Sequence, residues 1–280
     1  MDLLIEKQDV KTKLSELGLF LIDFNDNSPS IDRERNSIKN RNGFKSSKNY
    51  FKEKLISVNA KTLVKDLYVL EELKDKLNAL LMTSDSFYVT KLLPIDSKFY
   101  GFEVPGQKSS LDLNNIATKE YKYRHQVLLS DRITFNFIGK TDQGLLYDVS
   151  FNLVTDSLPF GQTKPVNEVL TGNFINYAGT QDCSQLEWPW HLKLTASEAA
   201  TGQFYFTIGN QRFEYKSDVA IKVNDVFLLK GFENLLNGRS VNHESNYQHF
   251  ILMANSTGRL TFSTNFKGKI ELINKTELYK

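Results

Sequence analysis

The sequence predicts a mainly β chain in two domains, and three observations carry that prediction. Its 280 residues include 20 Phe and 12 Tyr, types that suit a pleated, half-buried surface, while Ala-rich helical stretches are scarce. Apolar and polar residues alternate with period two in one segment after another, as strands with one wet face require. Between two such regions, Ser157-Leu158-Pro159-Phe160-Gly161-Gln162-Thr163-Lys164-Pro165-Val166-Asn167 gathers two of the six prolines around a glycine. Such a break marks a domain boundary, and the chain reads as residues 1–160 and 161–280.

The elements follow in order. Ile56, Val58 and Ala60 alternate with Ser57 and Asn59, which predicts a half-buried strand. From Asp66 to Met82, Leu67, Leu70, Leu73, Leu77 and Leu80 recur at three- and four-residue spacing. Glu71, Glu72, Lys74, Asp75 and Lys76 take the other face, so this is a helix with a core-facing seam. Ile133, Phe135 and Phe137 then alternate up to Lys140-Thr141-Asp142-Gln143-Gly144. Leu145, Tyr147, Val149, Phe151 and Leu153 return on one face, completing a hairpin. Beyond the break, short strands are predicted around Phe204–Ile208, Phe213–Tyr215, Val219–Val223, Val226–Leu228, Phe250–Leu252, Leu260–Phe262 and Ile270–Leu272. Gly209-Asn210, Asn224-Asp225, Asn237-Gly238, Thr257-Gly258 and Lys267-Gly268 supply turns between them. That rhythm predicts a β-sandwich.

Composition excludes several classes. Hydrophobic residues at 40% and charged residues at 24% describe a globular chain with ample core. A net charge of +2 is too small for a nucleic-acid binder, and one cysteine excludes a disulfide framework or a multi-cysteine zinc site. Met1-Asp2-Leu3-Leu4-Ile5-Glu6 carries acids where a signal peptide carries Lys or Arg, so no targeting segment is expected. The charge is uneven, however. Residues 1–32 hold 3 basic and 7 acidic side chains, while residues 33–66 hold 10 basic and 3 acidic. The basic stretch also carries Asn36, Asn40, Asn42, Ser46, Ser47 and Asn49, and reads in part as a solvated loop.

No chemistry stands out. Nucleophile-elbow, phosphate-loop, dinucleotide and zinc-helix motifs are all missing, so no enzyme, cofactor or metal is expected. His125, His191, His243 and His249 are the candidate switches or imidazole ligands, and none shows a metal-ligand spacing. Cys183 reads as a small, half-buried thiol. Trp188 and Trp190, separated by Pro189, form the one pointer to saccharide contact, since exposed indoles stack on sugar faces, although tryptophans at a strand start are more often core or interface anchors.

The order of these elements resembles the distal tail proteins (Dit) of long-tailed phages. Ile38-Lys39-Asn40-Arg41-Asn42-Gly43 looks like the family's glycine-arginine tetrad, keeping Arg41 and Gly43 but carrying Asn40 where the first glycine is usual. The Ile56/Val58 strand, the leucine helix and Lys98-Phe99-Tyr100-Gly101 follow in the family's order. Val149-Ser150-Phe151-Asn152-Leu153 then runs to Asp156, with Pro159-Phe160 after an extra Ser157-Leu158. Asn176-Tyr177-Ala178-Gly179-Thr180 and Pro189 resemble the entry into the family's second domain.

The resemblance implies a non-enzymatic structural role at the phage tail tip, in the virion. It implies an N-terminal β-sandwich-like domain that forms a ring of six, abutting the tail tube protein and a Tal-like tail-tip hub protein. It also implies a galectin-like C-terminal β-sandwich projecting outward, able to carry receptor-binding or other baseplate proteins. Phage DNA would pass through the lumen, and no membrane insertion is expected. Arg41 and Gly43 are then structural, as an ordered polar contact and a backbone turn. Arg33, Arg35 and Lys39 are candidates for the assembly interface, because a closed ring repeats one heterologous contact between complementary patches. The alternative is an adhesion module that recognises host cell-wall saccharide through the C-terminal domain, with Trp188 and Trp190 as contacts.

Overall fold

The computed structural model describes residues 1–8, 10–40, 42–100 and 117–280. Its chain divides into two compact units, Met1–Gly161 and Gln162–Lys280. Both are built from antiparallel strands.

The first unit holds β1 (Asp2–Lys7), β2 (Val10–Lys13), β3 (Leu19–Asp26), β4 (Ile31–Ser37), β5 (Phe44–Phe51) and β6 (Leu55–Val64). After helix α1 (Leu67–Leu81) come β7 (Phe87–Pro94), β8 (Thr118–Glu120), β9 (His125–Leu129), β10 (Thr134–Thr141) and β11 (Gly144–Thr155). Nine of these strands make one sheet in the order β2-β1-β7-β9-β11-β6-β3, with β8 added to β7 and β10 to β11. The long strand β11 organises it. Along one edge β11 runs antiparallel to β6 from Leu145–Val64 to Val154–Leu55. Along the other it pairs first with β10 and then, from Leu153 to Thr155, with β9. The sheet curls so that Leu3 and Ile5 near one end share a core with Leu19, Ile22 and Phe24 at the other.

The period-two reading of β6 is met: Ile56, Val58 and Ala60 are buried between more exposed neighbours. The helix begins where Asp66, as N-cap, accepts a hydrogen bond from the Val69 N–H at 2.9 Å. Its seam, however, is turned from the predicted one. Leu70, Leu73, Leu77 and Leu81 are buried, whereas Leu67 is 60% exposed. Leu67 lies in the first turn, Leu80 packs partly buried against the core, and Leu81 completes the stripe at i+4 from Leu77. The hairpin closes through Asp142-Gln143, and Gly144 is required there: a Cβ would lie 2.4 Å from the Val64 carbonyl oxygen.

Strand β12 (Gly161–Gln162) stands at the division. The second unit continues with β13 (Val166–Val169), β14 (Phe174–Asn176), β15 (Cys183–Ser184), β16 (His191–Ala196), β17 (Gln203–Ile208) and β18 (Gln211–Lys216). It ends with β19 (Val226–Leu229), β20 (Asn234–Leu236), β21 (Arg239–Ser240), β22 (Ile251–Leu252), β23 (Arg259–Thr264), β24 (Gly268–Lys275) and β25 (Leu278–Tyr279), the last paired with β12. A six-stranded sheet, β13-β24-β16-β19-β20-β21, faces a four-stranded one, β14-β23-β17-β18. Aromatic rings join the two faces: Phe204 of β17 meets Phe227 of β19 edge-on at 4.9 Å, and Tyr215 of β18 meets Phe227 at 5.0 Å. Asn237 and Gly238, at φ 48° and 83°, make the tight turn between β20 and β21. One expected strand is not formed. Val219 and Val223 are 61% and 52% exposed, and Ile221 alone makes a bridge, to Ala200. Alternation there reflects one buried anchor in a loop.

Candidate functional site

The feature that calls for a partner is the β4–β5 arm. These strands pair antiparallel with each other, from Ile31–Phe51 to Ser37–Phe44, and with no other described strand. The register shifts between Arg33 and Arg35, a bulge that strengthens local twist. Every residue of β4 is exposed. Ile31 is 42% exposed, Tyr50 58% and Phe44 67%. A two-stranded ribbon with apolar groups in water is marginal by itself and presents unpaired strand edges. Such a ribbon gains stability by seating on another surface.

Local contacts fix its base and its tip. At the base, Ser30 N–H donates to the Glu53 carbonyl at 2.7 Å and Lys52 N–H donates to the Ser30 carbonyl at 2.9 Å. Phe51 packs edge-on against Phe160, with ring centroids 5.4 Å apart. Tyr50 donates its hydroxyl to Asp32 at 2.8 Å, and that acceptor raises the phenol's pKa. At the tip, Gly43 sits at φ 86° and Asn40 at φ 65°, both in the left-handed region. Asparagine is among the few side chains that adopt it readily, which explains how Asn40 stands where a glycine is usual. Arg41 lies outside the described residues.

Arg33 and Arg35 lie on β4 and Lys39 in the connecting loop, all three exposed. The fold thus brings the three candidate interface residues onto one projecting element. Phe44 and Tyr50, mere aromatic interruptions of a basic stretch in the sequence, are its exposed apolar groups. Their exposure was not legible, because the sequence does not say that this hairpin lies outside the main sheet.

The tryptophans play a different part. Trp190 is fully buried, and its indole N–H donates to the Cys183 carbonyl at 3.1 Å. It presents no surface on which a sugar could stack. Trp188 is partly buried and donates to the Asn274 carbonyl at 3.1 Å. Both indoles therefore anchor the second sandwich. Cys183 is fully buried, not half-buried, and burial, with Glu187 nearby, pushes its thiol up to about 12, far from a nucleophile's range. His191 is partly buried, which lowers its pKa, while His243 sits in a short 3-10 turn. Among the described residues, no three His, Cys, Asp or Glu side chains gather as a metal site requires.

His125 belongs to a cluster that sequence reasoning missed. The imidazole is 2% exposed, its Nε2 lies 3.5 Å from Asp26 Oδ2, and Asp26 also pairs with Lys91. Lys54 is buried beside them at 2% exposure. Burial would push the Asp26 carboxyl up, but the His125 and Lys91 contacts outweigh it and hold it far below the carboxylate range. Burial in turn lowers both His125 and Lys54. These residues sit at positions 26, 54, 91 and 125, and no spacing rule connects them.

Fold and surface together define a class: two antiparallel β units, the first sending out a ribbon that pairs with no other described strand. The structure of SPP1 Dit, described as a paradigm of hub adsorption apparatus in phages infecting Gram-positive bacteria, has this fold. The two superpose with a TM-score of 0.63 at 10% identity, covering 98% of each chain. A chain of the phage P2 baseplate, in its activated conformation with calcium, aligns over 99% of this chain and 97% of its own at 7% identity, with a TM-score of 0.40. No protein-family model and no curated protein matches the sequence. The likeness to distal tail proteins read from short motifs is thus met by a shared chain path over nearly the whole length.

Proposed function

We propose that this chain is a structural component of a phage tail tip that assembles with copies of itself into a ring. The ring, of six subunits, joins the tail tube to the tail-tip hub and serves as the platform on which the baseplate is built. In this reading the first unit forms the ring and the β4–β5 arm makes the contact between neighbours. The second unit is a galectin-like sandwich facing outward. The observation that carries the proposal is the fold shared with SPP1 Dit over 98% of both chains. The exposed arm supports it independently, since a ring repeats one heterologous contact and a ribbon with exposed apolar groups offers a surface for it. Bulged edges and charged side chains keep such a ribbon from pairing at random, which suits a contact of fixed register.

Light scattering on the purified protein, with negative-stain imaging of the main peak, tests this. Six chains of 32.2 kDa give a particle of about 193 kDa with a central hole. A monomer at all concentrations, and again after mixing with tail tube protein, would remove the ring from the proposal.

A further inference from the structure

We propose that Asp26, Lys91, Lys54 and His125 form a pH-responsive clamp at the root of the β4–β5 arm, which loosens the arm when His125 takes up a proton. The placement is the first argument. Asp26 is the last residue of β3, just before the chain enters the arm, and Lys54 is the residue immediately before β6, on the short segment that leaves the arm. The cluster therefore sits where both arms of the ribbon leave the sheet. Lys91 on β7 and His125 on β9 meet it from the sheet. Lys54 is tied to the end of β11 as well: its N–H donates to Thr155 Oγ1 at 2.9 Å, and its carbonyl accepts from Thr155 N–H at 3.0 Å.

Charge is the second argument. One carboxylate, Asp26, faces two ammonium groups, Lys91 and Lys54, in a largely buried site. His125 is enclosed by the Phe24 ring, roughly parallel at 6.4 Å, and the Tyr123 ring, edge-on at 5.5 Å. Among the described residues neither ring nitrogen has a close hydrogen-bond partner, and Nε2 faces Asp26 Oδ2 at 3.5 Å. The charged groups acting on the imidazole are Asp26 from β3, Lys54 from the arm root and Lys91 from β7. Tyr123 is held neutral, its phenol pushed up to about 12 by burial first and the Asp26 charge second. A proton on His125 places a third cation beside a single anion, with little water to screen it.

The sign follows from linkage. Burial holds the folded His125 below its ordinary 6.5, so the loosened root binds the proton more tightly than the closed one. Clamp stability is full above pH 6.5 and falls as pH drops below it. Asp26, held well below 3.8, stays ionised throughout that window and its own contribution is lost only in stronger acid.

Hydrogen exchange read by mass spectrometry, at a concentration where scattering shows single chains, tests the clamp. The consequence for assembly rests on the arm being the ring contact; the exchange signal does not, so each can fail alone. After correction for intrinsic rates, peptides covering residues 27–30 and 52–55 should open up to about tenfold more at pH 5.5 than at pH 7.5. Peptides of α1 should not change. His125→Gln should abolish the step, and Asp26→Asn should show the loosened root already at pH 7.5. Equal protection at both pH values, a step that survives in H125Q, or matching changes in α1 would overturn the proposal. If H125Q does not fold, an Asp26→Asn root as protected as wild type at pH 7.5 overturns it equally.

Discussion

The two units differ in what they place between and outside their sheets. In the second, Phe204, Phe206, Phe213, Tyr215, Phe227 and Trp190 are all turned inward and nearly fully buried. In the first, Phe44 and Tyr50 stand on a ribbon in solvent, while the buried space at its root holds two lysines, a histidine and an aspartate. A unit that exposes apolar groups on a free ribbon, and buries charges where the ribbon leaves, is shaped for a contact that the isolated chain lacks. The contrast separates stability from assembly, which can then be perturbed one at a time.

Phe227→Ala should have the largest effect on folding. It removes a ring that meets Phe204, Tyr215 and Phe266, and should cost about 3–5 kcal/mol. Chemical denaturation followed by tryptophan fluorescence would read this, because both Trp188 and Trp190 lie in that unit. A cost below about 1 kcal/mol would mean the sandwich collapses freely around the gap. Next comes Gly43→Ala at the arm tip. At φ 86° an alanine costs about 1–2 kcal/mol locally. Nothing crowds a Cβ at that point, so the loss is backbone strain alone. Exchange protection should fall in the arm and stay constant in the second unit; equal loss in both would break the separation.

Asp66→Ala belongs third, at about 1 kcal/mol, since it removes the cap that the Val69 N–H requires. It should lower the unfolding midpoint of the first unit without altering particle size. Joint charge reversal at Arg33, Arg35 and Lys39 should move the unfolding midpoint least of all, because all three are exposed. It should nonetheless weaken ring assembly, measured by scattering across a concentration series. Rings as stable as wild type would place the contact elsewhere on the first unit.

Much of this architecture was legible beforehand. Alternation at Ile56, Val58 and Ala60 fixed which face of β6 turns inward, because one face of a sheet must be dry. The Leu70, Leu73 and Leu77 spacing identified the helix, and Asp142-Gln143-Gly144 its neighbouring hairpin. Local pattern misled where it lacked a partner to confirm it. Val219, Ile221 and Val223 alternate like a strand, yet Ile221 alone is buried. For Trp188 and Trp190 the sequence left saccharide contact and core anchoring open, and hydrogen bonds to the Asn274 and Cys183 carbonyls decide for anchoring.

By itself, then, the sequence determined the β class, the leucine helix and the basic character of the segment that became the arm. These follow from short-range periodicity and turn chemistry, which act between residues a few positions apart. Tertiary structure alone decided that β4 and β5 would stand free of the nine-stranded sheet. It alone brought residues 26, 54, 91 and 125 together at the root of that ribbon. Burial and charge proximity depend on where distant strands are laid side by side, and no local pattern encodes that.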